Sequence, residues 1–147
     1  MIDIAIYDEN FTPTIYENVK VLAAAQTISA VSGLQEKPSA ILLNANNKGY
    51  CRVTLDKDSK SFFLVNLSKC QDDINRSNIW RIICDNMKLG LITGTEVIEC
   101  FNKHMVGETE EYTLPVILAA VQWILLYKVN RNDESLDVVN FLYQTFL

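Results

Sequence analysis

The sequence predicts an α+β fold, in which a three- to four-stranded antiparallel sheet, mainly in residues 1–70, packs against a C-terminal helical bundle. Three features carry that expectation. Residues 2–7 alternate Ile2, Ile4 and Ile6 with Asp3, Ala5 and Tyr7, the period of a strand. From Asp72 onward the apolar spacing turns helical. Last, Thr113 to Val129 is almost uninterruptedly apolar, and from Leu114 to Leu126 its one polar side chain is Gln122. A helix apolar all round belongs in a core, so 113–129 is expected to be the central helix of the bundle.

Taken in order, the first strand is expected to be half-buried and to end at Asp8-Glu9-Asn10. Thr14 with Glu17 three residues on forms a capping-box pattern, and Ile15, Val19, Leu22, Ala25 and Ile28 recur near one helical face. A helix is therefore expected from Thr14 to a stop at Ser32-Gly33. Ala40–Leu43 is an apolar run, followed by turn chemistry in Asn46-Asn47-Lys48-Gly49. Cys51, Val53 and Leu55 alternate with polar residues, and Phe63, Val65 and Leu67 do so after the polar stretch Asp56–Lys60. Two successive hairpins, and hence a three-stranded meander, are expected there.

Ile79, Ile82 and Ile83, beside Trp80 and Met87, mark a helix from about Ser77 to Lys88. Gly90 supplies its left-handed cap, with Leu91 in place to close it. Thr93 and Glu96 form another capping box and open a helix with Val97, Ile98, Phe101 and Met105 inward. Thr113 is expected to cap the apolar helix, with Pro115 in its first turn. A last helix is expected to begin near Asp133–Ser135, with Leu136, Val139 and Leu142 inward and Phe146 a further candidate. With no linker or repeat, residues 1–147 read as a single domain.

Composition excludes more functions than it suggests. The 13 Lys and Arg residues are scattered among 18 acids, for a net charge of −5, which argues against nucleic acid as the main partner. The apolar run is shorter than the roughly 18–20 residues a bilayer needs, so no membrane insertion is expected. Nothing after Met1 resembles a secretory signal, and Cys51, Cys70, Cys84 and Cys100 show no paired spacing. They read as free thiols of a cytoplasmic protein, in the host cytoplasm or a virion if the source is viral.

Motifs for chemistry are sparse. Asp56–Lys60 opens like a calcium loop, but Lys60 and Ser61 fall where a ligand and a glycine are needed. The 5 glycines are isolated, which excludes a phosphate loop. Glu96, Cys100 and His104 lie four residues apart on one helix face. With Cys84 they form a weak zinc set, and Cys100 with His104 a weak nucleophile–base pair. A small enzyme or ligand-binding domain, with Cys100, His104, Glu96 and Arg81 between sheet and helices, is therefore the alternative reading. With one histidine in the chain, the expectation is no catalytic residue, no metal and no cofactor.

The leading expectation is a non-catalytic module that binds a protein partner or self-associates. Gln122 in the apolar helix and the aromatic end, Phe141, Tyr143, Phe146 and Leu147, are the expected contact residues. Heavy use of Asn and Ile hints at an AT-rich genome, and so at a virus, phage or mobile element. Within that class a virion or assembly component and an inhibitor or immunity protein fit equally well.

Overall fold

In the computed structural model, residues 1–21, 37–108, 110–111 and 113–127 are described. Strand β1 (Ile2–Tyr7) is the centre of a three-stranded antiparallel sheet. It lies between β2 (Pro13–Val19) and β3 (Ala40–Ala45), in the order β2-β1-β3. Ile6 faces Thr14 on one side and Ile41 on the other, and Ile4 faces Tyr16 and Leu43. All six residues of β1 are buried, so the strand is covered on both faces instead of one. Ala5 and Tyr7 join the main core, while Ile2, Ile4 and Ile6 cluster with Tyr16, Val19, Ile41 and Leu43.

The sheet differs from the sequence expectation in three places. Thr14–Glu17 does not cap a helix, because residues 13–19 pair with β1 as a strand. The reversal that brings them back is set by Asp8, whose Oδ1 accepts the N–H groups of Asn10 (2.9 Å) and Thr12 (2.7 Å). Phe11 then takes a left-handed conformation (φ 67°) that tucks its ring against Tyr7 and Phe62. Residues 22–33 of the expected helix lie outside the described residues.

The meander is also absent. Residues 51–55 run without regular structure, and 57–66 form a helix, α1 (Lys57–Asn66), in place of a loop and a strand. Asp56 caps it, accepting the N–H groups of Asp58 and Ser59. The buried side chains are Ser59, Phe63 and Leu67, spaced by four, while Val65 is 53% exposed. Period two and period 3.6 share Phe63 and Leu67, and the cap decides between them.

The helices expected at 77–88 and after Thr93 follow expectation closely, and the last helix expected near Asp133–Ser135 lies outside the described residues. A 3-10 turn (Leu67–Lys69) leads to α2 (Asp73–Lys88), which starts four residues before Ser77 because Asp72 caps it through the Asn75 N–H. Gly90 (φ 77°) ends it, with Gly90 N–H donating to Met87 and Leu91 N–H to Asn86. Helix α3 (Gly94–His104) opens on the Thr93–Glu96 capping box and buries Val97, Cys100, Phe101 and His104. After a second 3-10 turn (Met105–Gly107) comes α4 (Thr113–Tyr127).

Thr113 does not cap α4. It sits inside the first turn with its Oγ1 buried and without a hydrogen-bond partner among the described residues, and the Glu110 carbonyl accepts the Thr113 and Leu114 amides instead. Burial of α4 is one-sided: Ile117, Ala120, Val121 and Ile124 face the core, while Pro115, Leu118, Ala119 and Gln122 are exposed. Helix α2 contacts α3, α4 and β3. No helix among the described residues is long and apolar enough to cross a membrane.

Candidate functional site

Glu96, Cys100 and His104 do share one face of α3, yet each is engaged differently. The Glu96 carboxylate accepts the Thr93 N–H and pairs with Lys60 Nζ at 3.0 Å. The Thr93 backbone bond, helped by Lys60, lowers its pKa. Cys100 is buried, which pushes its thiol up to about 12, and Cys84 is pushed to about 12 for the same reason. A nucleophilic thiolate is disfavoured at both.

His104 is buried at the junction of α3 with the end of α1. Its Nε2 lies 3.0 Å from the Leu64 carbonyl, and its Nδ1 lies 3.0 Å from Ser68 Oγ and 3.3 Å from the Ser68 amide. The carbonyl requires a donor at Nε2 and the amide an acceptor at Nδ1, which defines the neutral Nε2–H tautomer. Burial lowers the His104 pKa in the same sense. The imidazole thus ties α3 to the turn after α1. Ser68, not Cys100, is its neighbour.

Ser68 and His104 border a cavity of about 250 Å³ with Arg76 and Glu108 in its wall. The Arg76 guanidinium donates to both Glu108 oxygens, to Asp73 and to the Cys70 carbonyl, and the Glu108 bonds raise its pKa. Arg76 and the buried Glu108 carboxylate neutralise one another, while Asp73 meets the guanidinium from the exposed side. Among the described residues, no group of three His, Cys, Asp or Glu side chains is placed to hold a metal.

A different set of residues builds an ordered surface. Asn75, Asn78 and Asn86 lie along one buried face of α2, within the helical periodicity that otherwise carries the core. Asn75 Oδ1 accepts the Asn46 N–H at 2.8 Å, and Asn78 Nδ2 donates to the Asn44 carbonyl at 2.9 Å. Asn86 holds the far end, donating to the Val53 carbonyl at 2.8 Å and accepting the Leu55 N–H at 3.0 Å. Three side chains of one helix therefore hold both ends of the 44–55 segment.

The near end is locked further by its own turn. Asn44, Asn46 and Asn47 are all left-handed (φ 58°, 59° and 52°), a conformation asparagine tolerates better than other side-chain-bearing residues. Asn44 brackets Gly49 with its amide, accepting the Gly49 N–H at 2.7 Å and donating to the Gly49 carbonyl at 2.8 Å. A Cβ at Gly49 would sit 2.7 Å from Ile2 Cγ2, so only glycine fits that approach. Beneath the turn, Asp3 is inaccessible to solvent and binds Lys48 Nζ (2.8 Å), Asn46 Nδ2 (2.9 Å) and the Asn18 N–H (2.9 Å). The Lys48 bond, then Asn18 and Asn46, lower its pKa to about 2.

Between the two anchored ends, Tyr50, Cys51 and Arg52 are all exposed, Tyr50 at 111% of its reference area. Beside the loop lies a groove of about 350 Å³ between α2 and α4. It is lined by Asn47, Ile74, Asn78, Arg81, Glu110 and Val116, with Ile74 59% exposed at its lip. Arg81 donates to Asn78 at 2.7 Å, so it belongs to this surface and not to a site with Cys100 and His104.

Of the expected contact residues, Gln122 is exposed on α4 and not buried, while Phe141, Tyr143, Phe146 and Leu147 lie outside the described residues. The expected turn at Asn46–Gly49 is present, but residues 51–55 continue it as an irregular loop where a strand was expected. Its available signal was the density of asparagines around Gly49, together with three more at helical positions inside a core pattern. No protein-family model and no curated protein matches the chain.

Proposed function

We propose that the chain is a non-catalytic protein-interaction or assembly module, contacting its partner through the side that carries the α2–α4 groove and the 46–55 loop. The observation that carries this reading is the exposure of Ile74 at the groove lip and of Tyr50, which stands on a loop tied at both ends by buried asparagines. The exposed apolar strip of α4, Pro115, Leu118 and Ala119, adds a further contact area. The acidic balance supports a protein partner over nucleic acid. The Asn- and Ile-rich composition supports a viral, phage or mobile-element source, in which assembly and inhibition remain equal readings.

The test sets surface against interior. Ile74→Asp and Leu118→Asp are expected to keep the native circular dichroism and abolish association or cellular function. Cys100→Ser is expected to keep both. Loss of cellular function in Cys100→Ser, with the two surface variants fully active, would overturn the proposal in favour of the small-enzyme reading.

A further inference from the structure

We propose that the loop from Asn46 to Val53 is a docking element that inserts Tyr50 into an apolar pocket rimmed by carboxylates on a partner protein. The inference rests on the interaction reading above and names the anchor and the chemistry it requires.

Preorganisation is the first support. Binding by a loop normally costs the entropy of ordering it. Here Asn44, Asp3, Asn75 and Asn86 already fix both ends within the fold, and a left-handed pair, Asn46-Asn47, fixes the turn. Nothing in the packing of the described domain needs the Tyr50 ring, because it is fully exposed, whereas Val53 three residues on is buried. Tyrosine brings a large apolar area, a polar tip and only two side-chain torsions, which is why it recurs as an interface anchor.

Charge supplies the partner's chemistry. From Asn44 to Leu55 the chain has no acid and two bases, Lys48 and Arg52, although the whole carries −5. Lys48 is paired with the solvent-inaccessible Asp3, so its charge is balanced from beneath. Arg52 is exposed two residues from Tyr50 and is the charge the loop presents outward. A complementary surface therefore has an apolar hole for the ring and carboxylates at its rim. The Arg52 contact at the rim governs encounter, and Tyr50 in the centre governs residence.

Cys51 provides the probe. Of the four thiols it is the exposed one, so a benzophenone maleimide added to the native chain attaches beside Tyr50. Photolysis in an extract of the native source, followed by peptide mapping, is expected to place the adduct on one protein next to an acidic stretch. That protein is then purified and titrated with unlabelled chain. Tyr50→Ala is expected to weaken Kd by roughly 30-fold, a typical loss for a truncated interface anchor. Arg52→Ala is expected to slow kon and to flatten its salt dependence. Unchanged Kd in Tyr50→Ala, or adducts scattered over many proteins, overturns the docking proposal.

The two proposals fail differently. A mapped partner that binds Tyr50→Ala normally but loses Ile74→Asp or Leu118→Asp removes the loop and keeps the interaction reading. Adducts only to a second copy of the chain make the partner this protein itself, and the acidic-rim claim then fails unless Asp or Glu of that copy carries the adduct. No saturable partner for any surface overturns both.

Discussion

At the scale of single residues, buried polar groups in this protein act as fasteners. His104 holds the end of α1 only while its Nδ1 is an acceptor, since protonation would set an N–H against the Ser68 amide. Its folded pKa is lowered below the usual value of about 6.5. Its contribution is therefore complete above that ordinary value and is lost as pH falls through the lowered one. Urea midpoints are expected to drop as pH is lowered from 7 through this range, and His104→Ala is expected to remove that part of the slope. Asp3 behaves alike further down: its contribution is present above about 3.8 and lost as pH approaches about 2. Asn86→Ala strands the Val53 carbonyl and the Leu55 amide in the interior. A loss of about 2–4 kcal/mol is expected in urea denaturation, together with faster amide exchange at Leu55.

At the scale of elements, legibility in the sequence followed the range of the determining interactions. Helix α3 and the end of α2 were readable because Thr93, Glu96 and Gly90 act within a few residues of themselves. These devices are also easily tested. Gly90→Ala places a side chain at φ 77° and is expected to cost about 1–2 kcal/mol. Thr93→Ala is expected to cost about 1 kcal/mol, seen as a lower thermal midpoint. By contrast β2 carried a capping-box pattern at Thr14 and Glu17 that pairing with β1 overrode. Helix α1 carried an alternation at Phe63, Val65 and Leu67 that its Asp56 cap and the burial of Ser59 overrode. A short apolar pattern fits either period until its packing partner is known.

At the scale of the whole molecule, the protected thiols and the presented one should separate cleanly. Cys70, Cys84 and Cys100 are buried, and burial pushes their pKa values up to about 11, 12 and 12. Titration with a thiol reagent at neutral pH is expected to modify Cys51 alone in the native protein and all four cysteines after denaturation. Rapid native modification of Cys100 would contradict the packing of α3 against α1 and α2.

The sequence by itself determined the α+β class, the strand at 2–7, the helix around 77–88, the helix opened by the Thr93–Glu96 capping box, an apolar helix starting at Thr113 (expected over 113–129), and the scarcity of motifs for chemistry. Those follow from periodicity, caps and composition, which are local or additive properties. Tertiary structure alone decided the strand order, the helical state of 57–66, the one-sided burial of α4 and the neighbours of His104. It alone also brought Asp3, Asn44 and the asparagines of α2 together around one loop. Those contacts join residues up to 43 positions apart, where no sequence period operates and only packing selects the partner.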